Sequence, residues 1–250
     1  LRRARHLINQ ITHVKPDERP VMTGFGIVTG AASGIGLATA TLLRSQGHTI
    51  LGIDRADDPA TGTAALDLAR PDAGDALLAL TQGRDPDFLV NVAAVFHNAP
   101  LAETDAAAWD RLYAVNLRAP ALLARALAPA LARRKGSIVN VSSINGQVNA
   151  PGNFAYDSLK AALDHLTRGL ALDLHPTGVR VNAVSPGGTV TPGLMQWLDR
   201  VTPPGQPPDT TGLADPQDIA RIVAFLIGPD ARWINGAVII ADNAAHLLRR

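Results

Sequence analysis

A glycine-rich turn caught between an apolar strand and an amphipathic helix constrains this chain more than any other feature. Residues 25–30 read FGIVTG, a run fit for a short buried strand. Residues 33–47, SGIGLATATLLRSQG, carry an apolar stripe at helical spacing that ends at a glycine. Between them TGAASGIG (29–36) sets Gly30, Gly34 and Gly36 where side chains would obstruct a tight turn, a pyrophosphate, or the packing of helix on sheet. The free N–H groups and positive dipole end of the helix that follows suit phosphate oxygens, with Ser33 and Ile35 completing the loop. Spaced glycines alone also describe an ordinary turn; their place at the first strand–helix junction points to a dinucleotide.

The alternation continues along the chain. TILGID (49–54), TAALDL (63–68), FLVNVAA (88–94), GSIVNVSS (136–143), VRVNAVS (179–185) and AVIIAD (237–242) read as further strands, with helices over 109–134, 156–175 and 215–228. This pattern predicts an α/β fold: a Rossmann-like three-layer sandwich with a largely parallel seven-stranded sheet. Only residues 55–62 separate the second and third strands, too few for a crossover helix, so that connection must be cut down. Residues 1–22 read as a charged N-terminal extension, a short helix interrupted by Pro16 and Pro20, serving as a surface arm or a subunit-clasping arm. Residues 23–250 then form one Rossmann-fold catalytic domain, with a Pro/Gly-rich substrate loop at about 188–214.

Composition narrows the function classes. A chain of 250 residues with 46% hydrophobic content can bury one sizeable core. Lys and Arg number 23 against 22 Asp and Glu, so no basic excess marks a nucleic-acid or membrane partner. The absence of cysteine excludes disulfides and thiolate chemistry, and the seven histidines form no compact metal-binding pattern. No apolar run reaches the roughly 18 to 20 residues that span a bilayer, and the expectation is a soluble cytoplasmic protein.

Asp54 closes the second strand 54−36 = 18 residues beyond Gly36, where a carboxylate can accept both adenosine ribose hydroxyls and repel a 2′-phosphate. Ser33 supplies no compensating positive charge, although Arg55 is adjacent, so NAD is favoured over NADP. Further on, Tyr156 and Lys160 stand four apart on a predicted helix and share one face. Ser143 lies 156−143 = 13 residues earlier, at a strand end that the fold can bring beside that face. Singly, each of these has a plain structural role available, as half-buried helix residue, solvated lysine or strand-end cap.

On TGAASGIG, Asn116, Ser143 and the Tyr156/Lys160 pair, the chain resembles the short-chain dehydrogenase/reductase family across about residues 24–243. That resemblance implies Asn116, Ser143, Tyr156 and Lys160 as catalytic residues. Tyr156 exchanges the proton, Lys160 favours its anion, Ser143 orients the substrate oxygen, and Asn116 helps hold a water for proton exchange. It further implies Asp67 and Leu68 at the adenine end, Asn91 and Ala93 beside the cofactor, Pro186, Gly187, Thr189 and Thr191 along the nicotinamide and diphosphate, and Tyr156 and Lys160 as cofactor-binding besides catalytic. Substrate contacts are expected from Ser143, Asn145, Asn153, Tyr156 and Met195, and a homodimer or homotetramer through the helices around 109–134 and 156–174. Three motifs depart from the family pattern: NVAA at 91–94, SLK at 158–160 and DNA at 242–244. A narrower resemblance, on the shortened Asp54-to-Asp67 crossover and SPGGTVT (185–191), is to the branch of 2,3-dihydro-2,3-dihydroxybenzoate and cyclic diol dehydrogenases. The expected activity is NAD-dependent interconversion of a secondary alcohol or cyclic diol and its ketone, a small-molecule reaction. NADP-dependent carbonyl reduction and a catalytically weak cofactor-binding scaffold remain the alternatives.

Overall fold

Adjacent residues in the central strands face opposite cores, which is what makes this a three-layer structure. Ile27, Leu89 and Ile138 pack on one side of the sheet with Leu77, Leu123, Leu127 and Leu131. Their neighbours Val28, Val90 and Val139 pack on the other with Leu43, Ile219, Val223 and Leu226. Side chains alternate faces along a strand, so an unbroken apolar run fits a sheet covered by helices on both sides.

The computed structural model describes residues 23–248; the extension expected over 1–22 lies outside the described residues. In chain order the elements are β1 (Phe25–Thr29), α1 (Gly34–Ser45), β2 (Thr49–Asp54), β3 (Thr63–Ala65), α2 (Ala73–Leu80), β4 (Phe88–Asn91) and α3 (Ala106–Tyr113). There follow α4 (Ala119–Arg134), β5 (Ser137–Val141), α5 (Phe154–Leu174), β6 (Arg180–Pro186), α6 (Pro192–Val201), α7 (Pro216–Ile227), β7 (Val238–Ala241) and a short α8 (Ala245–Leu248). All seven strands join one parallel sheet in the order β3-β2-β1-β4-β5-β6-β7. The order reverses between β1 and β4, where such sheets open a crevice at the carboxyl ends of the strands. Among the described residues, no helix is long and apolar enough to cross a membrane.

The fold class expected from the sequence is the one found, but several boundaries differ. The third strand stops at Ala65 instead of Leu68, because its neighbour β2 ends at Asp54, paired with Ala65, and leaves no ladder beyond. Residues 55–62 connect β2 to β3 without a helix, held by Arg44, which donates to the Thr61 carbonyl at 2.9 Å. The fourth strand stops at Asn91 instead of Ala94, since the N–H groups of Val92 and Ala93 turn to the Thr29 hydroxyl. The helix expected over 109–134 starts at Ala106 and widens into a π-turn over Ala114–Arg118. Pro120, which has no N–H, cannot close the ordinary bond to the Asn116 carbonyl. Helices α2 and α6 were not legible in the sequence; both are short, and packing rather than propensity sustains such helices.

Helix α7 is bounded by side chains at both ends. Asp215 and Asp218 form a reciprocal capping box at its start. At its other end Arg180, on β6, donates to the carbonyls of Leu226, Ile227, Gly228, Ala231 and Ile234. Gly26 meets its paired residue Phe88 so closely that an added Cβ would lie 1.9 Å from the ring. Gly26→Ala will therefore lower the unfolding free energy by about 1–3 kcal/mol, as overpacking does, read from the urea midpoint; an unmoved midpoint would contradict this packing.

Candidate active site

Three segments build a cradle at the crevice. Gly30 and Gly34 adopt positive φ of 68° and 52°, the left-handed region that favours glycine. An added Cβ on Gly36 would lie 2.0 Å from the Gly30 carbonyl oxygen, so only glycine lets α1 start there. Ser33 takes the N-cap position in extended conformation with no side-chain cap bond, which leaves the first-turn N–H groups of α1 open to a ligand. Ile35 is half-buried against the core beneath. An uncapped helix start over a loop whose three glycines leave no side chain in the way fits a dinucleotide diphosphate.

Of the expected cofactor-binding residues, Asp54, Ala93 and Thr191 touch this loop. Asp54, at the end of β2, accepts from the Ala32 N–H at 3.1 Å and the Arg55 N–H at 2.7 Å, which fixes a carboxylate beside the loop. Asp67 is exposed and accepts from the Ala69 N–H at 2.9 Å, while Leu68 is buried under it. Ala93 lies against Gly30, whose added Cβ would meet it at 3.0 Å. Asn91 donates to Asn140 at 2.8 Å, and its own Oδ1 is buried without a hydrogen-bond partner among the described residues. From the opposite side, Pro186 ends β6, Gly187 abuts Asp242, and Thr189 donates to the Gly187 carbonyl at 3.2 Å. Thr191 caps α6 and faces Gly34, which its methyl group would meet at 3.0 Å were a Cβ present.

Tyr156 and Lys160 share the buried face of α5, as their spacing predicts. Lys160 donates to the Val141 carbonyl at 2.9 Å and lies 5.5 Å from the centre of the Tyr156 ring. Ser143 follows β5 rather than ending it, in extended backbone that caps a single 3-10 turn, Ile144–Gly146. Burial holds the Tyr156 phenol well above its ordinary pKa; a hydrogen bond from Ser143 acts the other way, and the Asp157 charge adds to the rise. Burial pushes Lys160 down to about 8, opposed by Asp164. Asn116 sits in the π-turn, fully buried, accepting from the Val95 N–H and donating to the Val95 carbonyl, both at 2.9 Å. Such turns recur at functional sites.

The residues expected to contact substrate lie on the turn after β5, at the start of α5 and on α6. Asn145 donates to Asp157 at 2.8 Å, Asn153 stands at the start of α5 with no side-chain cap bond, and Met195 is half-buried on α6. Three side chains here escaped sequence reasoning. Asp157 also accepts from the Ala150 N–H at 2.9 Å and so clamps the Ser143 loop to α5. Asp164 is buried four residues after Lys160, its carboxyl raised by burial. Phe96 lays its ring 4.9 Å from that of Tyr156. Asp157 stands one residue from Tyr156 and Asp164 one helical turn from Lys160, whereas Phe96 has no such signal, and nothing in residue type alone marks any of them.

Because Lys160 titrates near 8 when folded and near ~10.4 when unfolded, the folded protein binds fewer protons between these values. Its stability contribution therefore rises with pH across that window. Without cofactor, the stability difference between the wild type and Lys160→Met will shift in favour of the wild type from about pH 8 to 10, as urea denaturation at each pH reads. A pH-independent difference would mean that Lys160 keeps its ordinary pKa.

Comparison with known proteins agrees with this geometry. A family model described as enoyl-(acyl carrier protein) reductase matches residues 30–246. A cis-4-hydroxycyclohexanecarboxylate dehydrogenase of Sinomonas cyclohexanicum is 38% identical over 240 residues, covering 87% of this chain and 94% of the relative. A cyclopentanol dehydrogenase of Comamonas sp. is 34% identical over 238 residues with the same coverage. Among solved structures, 4-hydroxyisoleucine dehydrogenase complexed with NADH superposes with a TM-score of 0.75 at 26% identity, covering 88% of this chain and 97% of that one. L-sorbose reductase from Gluconobacter frateurii, complexed with NADPH and L-sorbose, reaches 0.82 at 25% identity, covering 88% and 95%. With its glycine cradle, its buried tyrosine–lysine pair and this breadth of likeness, the chain belongs to the short-chain dehydrogenase/reductase family.

Proposed function

We propose that this protein is an NAD-dependent dehydrogenase/reductase that interconverts a secondary alcohol, a ring alcohol or cyclic diol above all, with the matching ketone. The observation that carries this is the contact of Tyr156 with Ser143 and with Lys160, in a fold whose first strand–helix junction is the glycine loop. The ring alcohols in the names of two relatives support the substrate class. Asp54 supports NAD, since a fixed carboxylate at that place accepts ribose hydroxyls and repels a 2′-phosphate.

A bound nicotinamide supplies the acceptor for the hydride that leaves the carbinol carbon. The remaining work falls to the chain. Tyr156 as phenolate takes the hydroxyl proton, and Ser143 donates to the substrate oxygen as its charge changes. The buried phenol resists ionisation and the Ser143 hydrogen bond offsets part of that resistance; a protonated Lys160, 5.5 Å from the ring centre, is the nearby positive charge that favours the anion. Asn116 belongs with Lys160 on the route by which the proton reaches solvent. Ser143, Asn145, Asn153, Tyr156 and Met195 form the substrate wall, and residues 188–214, which include α6, act as the substrate loop. An open apolar hollow lined by Leu117, Ala121, Leu122, Ala162 and Leu166 supports assembly as a homodimer or homotetramer through α4 and α5.

Titration of the purified protein, followed by fluorescence, will show NADH binding at least about tenfold tighter than NADPH, a difference of ~1.4 kcal/mol. Asp54→Ala will narrow that ratio. Tyr156→Phe will leave NADH binding intact and reduce turnover of cyclopentanol by about 10²–10⁴-fold. Equal or reversed cofactor affinities would sink the Asp54 assignment and favour NADP-dependent carbonyl reduction. Tight NADH binding without turnover of any alcohol or ketone would favour the scaffold role instead.

A further inference from the structure

The ring of Phe96 occupies a place that neither the family motifs nor the expected substrate residues cover. Its centre lies 4.9 Å from the centre of the Tyr156 ring, with the planes tilted by 30°. Tyr156 is buried, yet Phe96 is 57% exposed. One side of the aromatic ring thus shelters the phenol while much of the rest stays open to solvent. The position is fixed from behind, because both backbone polar groups of Val95, the preceding residue, are bonded to Asn116. On its far side stands the first turn of α6, where a Cβ on Gly193 would meet the Phe96 ring at 3.6 Å. The same helix has no fully buried residue and carries Leu194, Met195 and Leu198 half-buried.

A large apolar ring held still in water beside a proton-transfer group is a surface waiting to be covered. Aromatic faces favour offset contact with other rings, and an alicyclic ring gains by burying apolar area against one. A polyhydroxylated chain would lose hydration against the same surface and gain no hydrogen bond in return.

We propose that Phe96 is the specificity-determining wall of the site, seating the apolar carbocycle of a ring alcohol while Tyr156 and Ser143 hold its hydroxyl. This rests on the dehydrogenase function proposed above and deepens it: the preferred substrate carries its reacting CH–OH in an apolar ring. Phe96 takes no part in proton transfer. It selects by contact area, so its removal weakens ring substrates more than small acyclic ones.

The test compares cyclohexanol with propan-2-ol as substrates of the wild type, Phe96→Ala and Phe96→Tyr, with NADH binding measured for each as the control for folding. In Phe96→Ala the ratio of kcat/KM for cyclohexanol over propan-2-ol will fall at least about tenfold, or ~1.4 kcal/mol, chiefly through KM for cyclohexanol. Phe96→Tyr, which keeps the ring, will retain the ratio within about threefold. A ratio unchanged in Phe96→Ala would overturn the proposal, because a merely structural role lowers both substrates together. If the wild type binds NADH but oxidises neither alcohol, the proposed dehydrogenase function fails by itself. The wall is then read by saturation-transfer NMR of cyclohexanol on the protein–NADH complex. Transfer lost in Phe96→Ala supports it, and transfer unchanged there or absent from the wild type overturns it.

Discussion

The crevice opens where the crossovers leaving β1 and β4 pass to opposite faces of the sheet, and one buried hydroxyl ties the chain together at that point. β1 and β4 pair as far as Val28 with Val90. Beyond that point Thr29 accepts from the N–H groups of Val92 at 3.0 Å and Ala93 at 3.1 Å, in place of further ladder bonds. The diverted chain brings Ala93 against Gly30 and carries Val95 to Asn116. The phosphate cradle and the wall beside the phenol are thus two ends of one displaced segment. A methyl group in place of that hydroxyl would deprive two half-buried donors of their partner, at a cost of up to about 1–3 kcal/mol each.

A second polar chain sets the angle at which α5 presents its functional side chains. Asn91 donates to Asn140 at 2.8 Å, Asn140 to Thr167 at 2.9 Å, and Thr167 to the Leu163 carbonyl at 2.8 Å. These links join β4 and β5 to the middle of the helix that carries Tyr156 and Lys160. Apolar packing alone tolerates small slides of a helix over a sheet, whereas buried amide bonds have one register. Asp157 repeats the device at the helix start, holding Asn145 and Ala150.

What was legible in the sequence follows from which forces are local. The seven strands and the glycine loop declared themselves because an unbroken apolar run such as FLVN and a turn that excludes side chains are properties of a few consecutive residues. The Tyr156/Lys160 spacing was legible for the same reason, as i and i+4 share a helix face whatever surrounds them. Strand ends were not, since the ends of β3 and β4 depend on a neighbour's length and on the Thr29 side chain. Helix α2 was hidden because eight residues fold there only against α4, where Gly74 approaches the Leu122 carbonyl. Phe96 was hidden most fully: an apolar residue in a loop next to His97 carries no pattern, and only the fold brings it to Tyr156.

The parallel arrangement of every strand bears on how the molecule comes to be folded at all. Among the described residues no two neighbouring strands are joined by a hairpin, and the shortest link, from Asp54 to Thr63, still leads to a ladder of three residue pairs at the sheet's edge. Central pairings such as Gly26 with Phe88 join residues far apart in the chain. The cost of closing those loops falls before any ladder bond repays it, so high contact order makes assembly slow. Half-built sheets expose the central strands' edges in the meantime, among them those of β1 and β4, at whose carboxyl ends the ligand crevice opens.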